Sequence, residues 1–404
     1  GGSEGAVAAT IKGCRPERVI FVPSPQTKDK VEQVLQLLLQ ENIFLSPGQF
    51  DISPVPDAQD FAACVEKMKE LGAEVSKCIE KGQENRVIVD FTAGTKCMSA
   101  ALALVARRWR CHFSYVGGTE RTKGGVGIVI DGKENVLHTQ NPLDSLGYQA
   151  VEDGTVFFNL GDYQAATSLL GGALQRIERP DLKAEVNVLK MLAEAYLAWD
   201  QFDNDVAHSK LGEVVKNSNN LRHSVLHTAE DLLEVVNRHR AFLFPFKERT
   251  RGRHEILDLC ANARRCATRG RYDDAVARLY RAIEASGQLA LNHQYGILDT
   301  GDVALEKVPE PLKTQWLSRA KDGTLKLALL DDYRLLEALG DGLGKQFFSL
   351  RLSDKESPLT ARNSSVLAHG FTPVGKRIFD SLWDATLRLA EISDAELPVF
   401  PKIA

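Results

Sequence analysis

The chain has 404 residues, of which 44% are hydrophobic and 26% are charged, a composition typical of globular proteins with two or three domains. Its 50 basic and 54 acidic residues give a net charge of −4, which argues against wholesale binding of duplex nucleic acid but allows a local basic groove. No apolar run reaches the roughly 18 residues of a membrane helix, so we expect no membrane association.

Cysteine and histidine usage bears on metal sites and on the redox environment. The seven cysteines are an odd number, and no Cys-x-x-Cys pair occurs. That pattern excludes a regular disulfide framework and a four-cysteine zinc site, and it favours a reducing, cytoplasmic location. The nine histidines show no spacing typical of metal ligands. We therefore expect neither a metal ion nor a cofactor.

The N-terminal part of the chain alternates strand and helix patterns. Residues 18–22 and 86–91 are short β-branched and aromatic runs, typical of buried strands. Amphipathic or alanine-rich patterns predict helices over 27–40, 57–81 and 96–109. Such alternation predicts a parallel sheet covered on both faces. Three further strand patterns end this part near residue 145, at 113–116, 126–130 and 136–138, the last two joined by a turn at Asp131-Gly132.

The remainder is predicted to be helical, so the fold class is α/β plus all-α. Two Gly-x-Tyr-x-x-Ala strings, at Gly161 and Gly270, each stand where a helix opens and are typical of packed helix pairs. A break is predicted at Pro245. The predicted domains are 1–145 (α/β), 150–245 (helical, connecting) and 246–404 (helical, C-terminal).

The run Asp-Phe-Thr-Ala-Gly-Thr-Lys-Cys-Met-Ser at 90–99 leads from a strand into a helix. The helix start directs free N–H groups and a positive dipole end at the carboxyl edge of the sheet. Gly94 allows close approach of a phosphate, Thr92 and Thr95 offer hydroxyl groups, and Lys96 adds a positive charge. The run predicts an anion site, although an ordinary βα turn with a solvated lysine is the alternative. It matches neither a Walker loop nor Gly-x-Gly-x-x-Gly.

This run resembles the Thr-Gly-Gly-Thr-Lys-x-Met motif of the CRISPR-associated Rossmann-fold (CARF) sensor domains, with Ala93 in place of the first glycine. The resemblance implies a Rossmann-like sheet that binds a cyclic oligoadenylate. The N-terminal Gly1-Gly2-Ser3 resembles the loop that follows the first strand in that family, so this strand is expected to be missing from the chain; a cloning scar is the alternative. The implied ligand-binding residues are Gly2, Ser3, Ser24, Thr92, Ala93, Gly94, Thr95, Lys96, Met98, Gly118 and Thr119.

A second motif lies at 362–370, Arg-Asn-Ser-Ser-Val-Leu-Ala-His-Gly. Ser357-Pro358 predicts a helix start and Gly370 an end, so Arg362 and His369 lie on one helix face, about 20° apart around the axis and about 10.5 Å apart along it. Arginine can hold a phosphodiester and histidine can transfer the proton of a ribose hydroxyl. Two such helices crossing at a two-fold axis would form a compact site. The alternative is a surface arginine with a histidine at a helix C-terminus.

The string resembles the Arg-x4–6-His motif of HEPN ribonucleases, including Asn363 directly after the arginine, and residues 270–284 resemble the first long helix of that domain. The resemblance implies catalytic roles for Arg362, Asn363 and His369. It further implies a homodimeric, metal-independent endoribonuclease of type III CRISPR defence, which cleaves single-stranded RNA and is activated by cyclic tetra- or hexa-adenylate. The alternative is a CARF-type sensor-regulator or ring nuclease whose helical half binds a partner without cleaving RNA.

One further stretch bears on RNA binding. Residues 238–281 contain twelve Lys and Arg residues against five acidic ones. Because phosphate contacts dominate nucleic-acid affinity, this excess predicts a path for RNA. A solvated helix face is the alternative.

Overall fold

The computed structural model describes residues 4–80, 87–107, 109, 111–118, 134–140, 147–175, 177, 179–221, 229–363 and 370–403. Two compact units are present: unit one comprises residues 1–154 and 168–187, and unit two comprises 155–167 and 188–404. Within the described ranges, no helix is both long enough and apolar enough to cross a membrane.

Unit one begins with the predicted alternation of helices and strands. Its elements are α1 (Glu4–Cys14), β1 (Val19–Phe21), α2 (Lys30–Gln40), β2 (Phe50–Ile52), α3 (Phe61–Glu80), β3 (Ile88–Asp90), α4 (Lys96–Ala106), β4 (His112–Gly118) and β5 (Glu134–Gln140). Strand β2 was not predicted from the sequence. It is only three residues long, and only Phe50 among them packs against a core cluster, so it lacks a hydrophobic pattern typical of a strand. The predicted strand at 126–130 and its turn lie outside the described residues.

The strands of unit one form two sheets instead of the single predicted parallel sheet. Strand β1 pairs with β2 in parallel, and β3 pairs with β4 in parallel. Strand β5 pairs antiparallel with β4, with Ser114 opposite His138. Between β1 and β3, the described residues form no strand pairing. Parallel pairing is therefore present as predicted, although the pair of β1 with β2 involves a strand that was not predicted, and a single sheet is not observed.

A cavity of about 740 Å³ is bordered by both β1 and β3. In a parallel strand, alternate residues direct their N–H and C=O groups to opposite sides. Val19 and Phe21 direct their backbone hydrogen bonds to the β2 side. The Val19 N–H donates to the Gln49 carbonyl, and the Phe21 carbonyl accepts from the Ser53 N–H. Ile20, between them, therefore directs its backbone groups away from β2. By the same alternation, Ile88 faces away from β4.

The apolar stripes predicted for the helices are buried in unit one. Val31, Val34 and Leu38 of α2 are at most 5% exposed, and they form one cluster with Phe21. Met68 of α3, 1% exposed, lies in a second cluster together with Met98 of α4. This burial of spaced apolar side chains holds the helices against the strands and so positions the turn after β3.

The remaining elements are almost all helical, as predicted. The helices are α5 (Tyr148–Asn159), α6 (Tyr163–Leu174), α7 (Pro180–Asp200), α8 (Asn204–Lys216), α9 (Ala229–Lys247), α10 (Arg253–Thr268), α11 (Tyr272–Tyr295), α12 (Leu312–Trp316), α13 (Leu329–Ala338), α14 (Gly342–Ser349), α15 (Pro358–Asn363) and α16 (Lys376–Leu389). A short antiparallel pair, β6 (Val303–Ala304) with β7 (Thr324–Leu325), is the exception. Helix α9 ends two residues after Pro245.

The long helix α11 is central to the core of unit two. Its Leu279 and Ile283 are fully buried. Tyr333 of α13 donates a hydrogen bond of 2.6 Å to the carbonyl of Ile283 and stacks on Phe347 at 4.0 Å between ring centroids. Gly270, which precedes α11, has a φ of +74°, a conformation that favours glycine at the turn between α10 and α11. This packing holds α11 against α13, and α11 also contacts α15.

Candidate functional site

The turn from β3 to α4 is held together by Asp90. One oxygen of its carboxylate accepts the backbone N–H of Thr92 at 3.0 Å, and the other accepts the hydroxyls of Thr92 at 3.1 Å and of Thr10 at 2.9 Å. Sequence reasoning assigned Asp90 no role of its own. The sequence signal for this role is the position of Asp90 at the end of a strand, two residues before Thr92. An aspartate carboxylate commonly accepts a hydrogen bond from the backbone N–H of the residue two positions later.

Both threonines of the motif are used inside the protein. The hydroxyl of Thr92 also accepts the backbone N–H of Val116 at 2.8 Å, which ties the turn to β4. Thr95 is the N-cap of α4: its hydroxyl accepts the N–H of Met98 at 3.2 Å and donates to the carbonyl of Ala58 at 2.7 Å. Thr92 and Thr95 therefore shape the turn, and their hydroxyls already have protein partners.

Gly94 and Lys96 match the anion-site prediction more closely. A side-chain carbon at Gly94 would lie 3.0 Å from the Ser99 hydroxyl oxygen, so any larger residue there would have to displace Ser99, and the turn favours glycine. Lys96 is exposed in the first turn of α4 and has no ion-pair partner among the described residues. Lys96 therefore adds a positive charge to the first turn of α4, where the helix start also leaves backbone N–H groups free, a combination that suits an anion.

The cavity beside β1 and β3 brings together several of the predicted ligand-binding residues. Its lining includes Ser24, Ala93, Gly94, Thr95 and Met98. Ser24 is buried, with its hydroxyl 2.9 Å from that of Thr27, and Met98 belongs to the core, so neither is free to reorient. Gly118 ends β4 opposite Glu134. Gly2, Ser3 and Thr119 lie outside the described residues.

In unit two, α15 carries the predicted catalytic arginine. The helix opens as predicted, with the Leu359 N–H donating to the Ser357 hydroxyl at 3.2 Å. The guanidinium carbon of Arg362 lies 4.5 Å from the centroid of the Tyr280 ring. The Nε atom of Arg362 is buried and has no hydrogen-bond partner among the described residues. Asn363 ends α15, and His369 lies outside the described residues.

Two carboxylates that sequence reasoning missed lie in the same region. Glu284, one turn beyond Tyr280, accepts a hydrogen bond of 3.1 Å from Arg281. Asp332 of α13 is 1% exposed, and neither of its oxygens has a hydrogen-bond partner among the described residues. Burial, reinforced by Glu284 and Asp331, raises the pKa of Asp332 to about 8. Burial also raises the pKa of Tyr280, whose phenol therefore stays neutral.

The basic stretch at 238–281 is largely paired within the protein. Arg265 and Arg269 both contact the Asp200 carboxylate, at 2.9 and 2.7 Å. Arg253 pairs with Glu396 at 3.0 Å, and Arg278 pairs with Asp274 at 3.1 Å. Neither the predicted RNA path nor its alternative, a solvated helix face, anticipates these ion pairs. The acidic partners of Arg253, Arg265 and Arg269 lie more than 60 residues away along the chain, so no local pattern indicates them.

A metal centre finds no support in the described ranges. There, no three His, Cys, Asp or Glu side chains are grouped so that they could hold an ion.

Comparison with known proteins bears on both units. Residues 146–243 match the family model of the Csm6 6H domain, and residues 248–393 match that of the Csm6 HEPN domain. The chain belongs to the Csm6 family. The resemblance to CARF–HEPN ribonucleases is thereby confirmed, and Arg362 lies inside the region matched as the Csm6 HEPN domain.

Two Csm6 proteins illustrate the relationship. The chain is 26% identical over 397 residues to the CRISPR system endoribonuclease Csm6 of Thermus thermophilus, covering 92% of this chain and 79% of the relative. Enterococcus italicus Csm6, solved bound to cyclic hexa-2'-fluoro-hexa-dAMP, is similar in fold with a TM-score of 0.51 and 13% identity, over 97% of this chain and 92% of that one.

Proposed function

We propose that this Csm6-family protein is an endoribonuclease that cleaves single-stranded RNA and is activated by a cyclic oligoadenylate in type III CRISPR defence. The observation that carries the proposal is the position of Arg362. It lies in the region matched as a HEPN domain, and none of the described carboxylates pairs with it. An arginine in that state keeps its N–H donors available for a phosphodiester.

The proposed chemistry uses the ribose of the substrate. Arg362 would bind the scissile phosphate and neutralise the charge that gathers in the transition state. His369 would assist proton transfer from the 2'-hydroxyl or to the leaving oxygen. Asn363, next to Arg362 at the end of α15, would help to orient the phosphate. The products would be a 2',3'-cyclic phosphate and a 5'-hydroxyl, with no metal ion required.

The activator site is proposed for unit one, at the start of α4. The free N–H groups of this helix, the charge of Lys96 and the tight turn at Gly94 supply the features that a phosphate needs. The Enterococcus italicus relative was solved with a cyclic hexanucleotide analogue, which makes this chemical class the first to test. Cyclic tetra- and hexa-adenylate are both candidates.

We also propose that the two sheets of unit one are halves of one Rossmann-like sheet. The edges of β1 and β3 border the same cavity, and Ile20 and Ile88 direct backbone groups away from the existing pairs. One further parallel strand between them would pair with both edges and give the doubly wound order. The carboxyl end of such a strand would meet the turn after β3, where the activator is proposed to bind.

A homodimer is proposed because, on the helix predicted from the sequence, Arg362 and His369 would lie about 10.5 Å apart along the axis, too far for one chain to bring both to one phosphate. Crossing of two helices would place residues of both chains around one phosphate. A cytoplasmic location is proposed from the cysteine pattern, and it agrees with an RNA substrate.

The experiment is cleavage of a fluorogenic single-stranded RNA, with and without cyclic tetra- or hexa-adenylate. Wild-type protein should gain activity with one of the two ligands, and Arg362→Ala should stay inactive with both. Binding of a ligand without any RNA cleavage would instead favour a sensor-regulator. Cleavage that ignores both ligands would refute the proposed activation.

A further inference from the structure

In the described parts of unit two, four arginine side chains lie over aromatic rings, and the contact of Arg362 with Tyr280 differs from the other three. Arg265 lies 3.8 Å from the Phe400 ring and also pairs with Asp200. The stacks of Arg278 on Phe202 and of Arg319 on Trp316 are likewise accompanied by ion pairs, with Asp274 and Asp331. In these three cases a carboxylate occupies part of the guanidinium edge.

The stack of Arg362 on Tyr280 differs in that respect. Its distance is 4.5 Å, well within the roughly 6 Å range of a cation–π contact. None of the carboxylates in the described residues pairs with Arg362, and its Nε is buried without a partner there. The aromatic face holds the guanidinium while its donor edge remains unused.

The nearby acids are arranged so that they do not capture the arginine. Glu284 is engaged by Arg281 at 3.1 Å, which offsets its charge. Asp332 is buried, with a pKa raised to about 8, so it is mostly neutral at pH 7. An ion pair with either acid would consume the donors that a phosphate requires. A neutral ring orients the same group without competing for those donors.

Tyr280 is itself held firmly. It is half-buried on α11, directly after the fully buried Leu279, and packs against the core of unit two. The position of its ring is therefore set by the core and not by the ligand or substrate.

We propose that Tyr280 is the positioning residue for Arg362: its ring fixes the guanidinium plane while the N–H edge stays free for the scissile phosphate. This inference rests on the proposed ribonuclease function. Because the contact is made by the aromatic face, the phenol hydroxyl of Tyr280 is dispensable. An aliphatic side chain of similar size cannot replace the ring.

The test compares Tyr280→Phe with Tyr280→Leu in the full chain, with activator saturating. Tyr280→Phe should keep kcat within about twofold of wild type, because the ring is retained. Tyr280→Leu should lower kcat about tenfold, within the range that a cation–π contact supports. The KM for RNA should change by less than about threefold. Tyr272→Leu, at the start of the same helix, is the control and should retain wild-type kcat.

A second measurement separates positioning from folding. In an Arg362→Lys background, Tyr280→Leu should cost less than about threefold, because the planar group that it orients is absent. Thermal unfolding of each variant shows whether assays are run on folded protein. Equal activity of Tyr280→Phe and Tyr280→Leu, or an undiminished tenfold loss in the lysine background, would overturn the inference. If wild-type protein cleaves no RNA under any condition, the proposed function fails instead.

Discussion

The hydroxyl of Thr10 on α1 donates a hydrogen bond of 2.9 Å to the carboxylate of Asp90, 80 residues away at the end of β3. Asp90 also holds the turn that follows it, through two bonds from Thr92. Thr10 is 7% exposed, so this bond is shielded from water and stronger than a surface contact. Helix α1 and the proposed activator site are thereby mechanically joined.

Thr10→Val should weaken activation. The change removes the hydroxyl and leaves one Asp90 oxygen with fewer donors, a loss of about 1–2 kcal/mol. We expect the cyclic oligoadenylate concentration for half-maximal activation to rise about 5- to 20-fold. Thr10→Ser, which retains the hydroxyl, is the matched control and should stay within about twofold. Identical activation curves for the valine and serine variants would show that the Thr10–Asp90 bond does not support the ligand site.

Lys96 should supply charge to the activator site. Lys96→Ala removes the exposed cation at the start of α4, so binding of the anionic activator should weaken at least tenfold. Lys69→Ala, an equal charge change at an exposed position of α3, should leave binding unchanged. Gly94→Asp should abolish binding, because it adds a negative charge and crowds Ser99. Direct titration with the cyclic oligoadenylate measures the affinity of all three variants. If both Lys96→Ala and Gly94→Asp bind the ligand as tightly as wild type, the activator does not bind at the start of α4.

The sequence predicted those features that depend on local pattern. Apolar spacing located α2, α3 and α4, and the Ser357-Pro358 pair located the start of α15. Residue identity also placed Gly94 and Lys96 at a helix start. The pairing of Arg265 and Arg269 with Asp200 and the stack of Arg362 on Tyr280 depend instead on which helices meet. No local sequence pattern specifies which helices pack against each other, so these contacts were not predicted.

The buried carboxyl of Asp332 should make stability depend on pH. Its pKa in the folded protein is about 8, above the ordinary value of 3.8, so the folded state binds this proton more tightly. Its favourable contribution is complete below pH 4 and is lost as the pH rises through 8, with a limiting slope of about 1.4 kcal/mol per pH unit.

Asp332→Asn removes that titration while keeping the shape of the side chain. Between pH 5 and pH 8, the free energy of unfolding of wild-type protein should fall relative to that of the asparagine variant. Urea unfolding at pH 5, 6.5 and 8 measures this difference. Asp354→Asn, at a partly exposed position where the carboxylate pairs with Arg351, serves as the control and should follow wild type. A constant difference between wild type and Asp332→Asn across that range would contradict the assignment of a buried, protonated Asp332.

Subunit mixing tests the composite site. If residues from two chains surround each phosphate, a wild-type chain paired with a His369→Ala chain should lose much of its activity. At a fixed amount of wild-type protein, adding excess His369→Ala protein should therefore lower total activity well below the starting value. Adding an unrelated protein of equal mass controls for dilution and adsorption. Activity that remains constant throughout the titration would indicate that each chain acts alone.

The identity of the products tests the chemistry most directly. The motif offers an arginine to bind the phosphate and a histidine to transfer a proton, so we expect the nucleophile to come from the substrate. The adjacent 2'-hydroxyl would attack the phosphorus and expel the 5'-oxygen, leaving a 2',3'-cyclic phosphate. Proton transfer by His369 should be worth about 10²–10⁴-fold, with further acceleration from charge stabilisation by Arg362.

Mass spectrometry of the cleaved RNA should therefore show a cyclic phosphate on one fragment and a 5'-hydroxyl on the other. Cleavage should persist in EDTA, and an RNA with a 2'-O-methyl group at the scissile position should resist, as should DNA of the same sequence. The same RNA with its 2'-O-methyl group moved away from the scissile position is the matched control, and it should be cut normally. Cleavage of the blocked RNA, or activity that EDTA removes and Mg²⁺ restores, would require a water nucleophile or a bound metal and would exclude this mechanism.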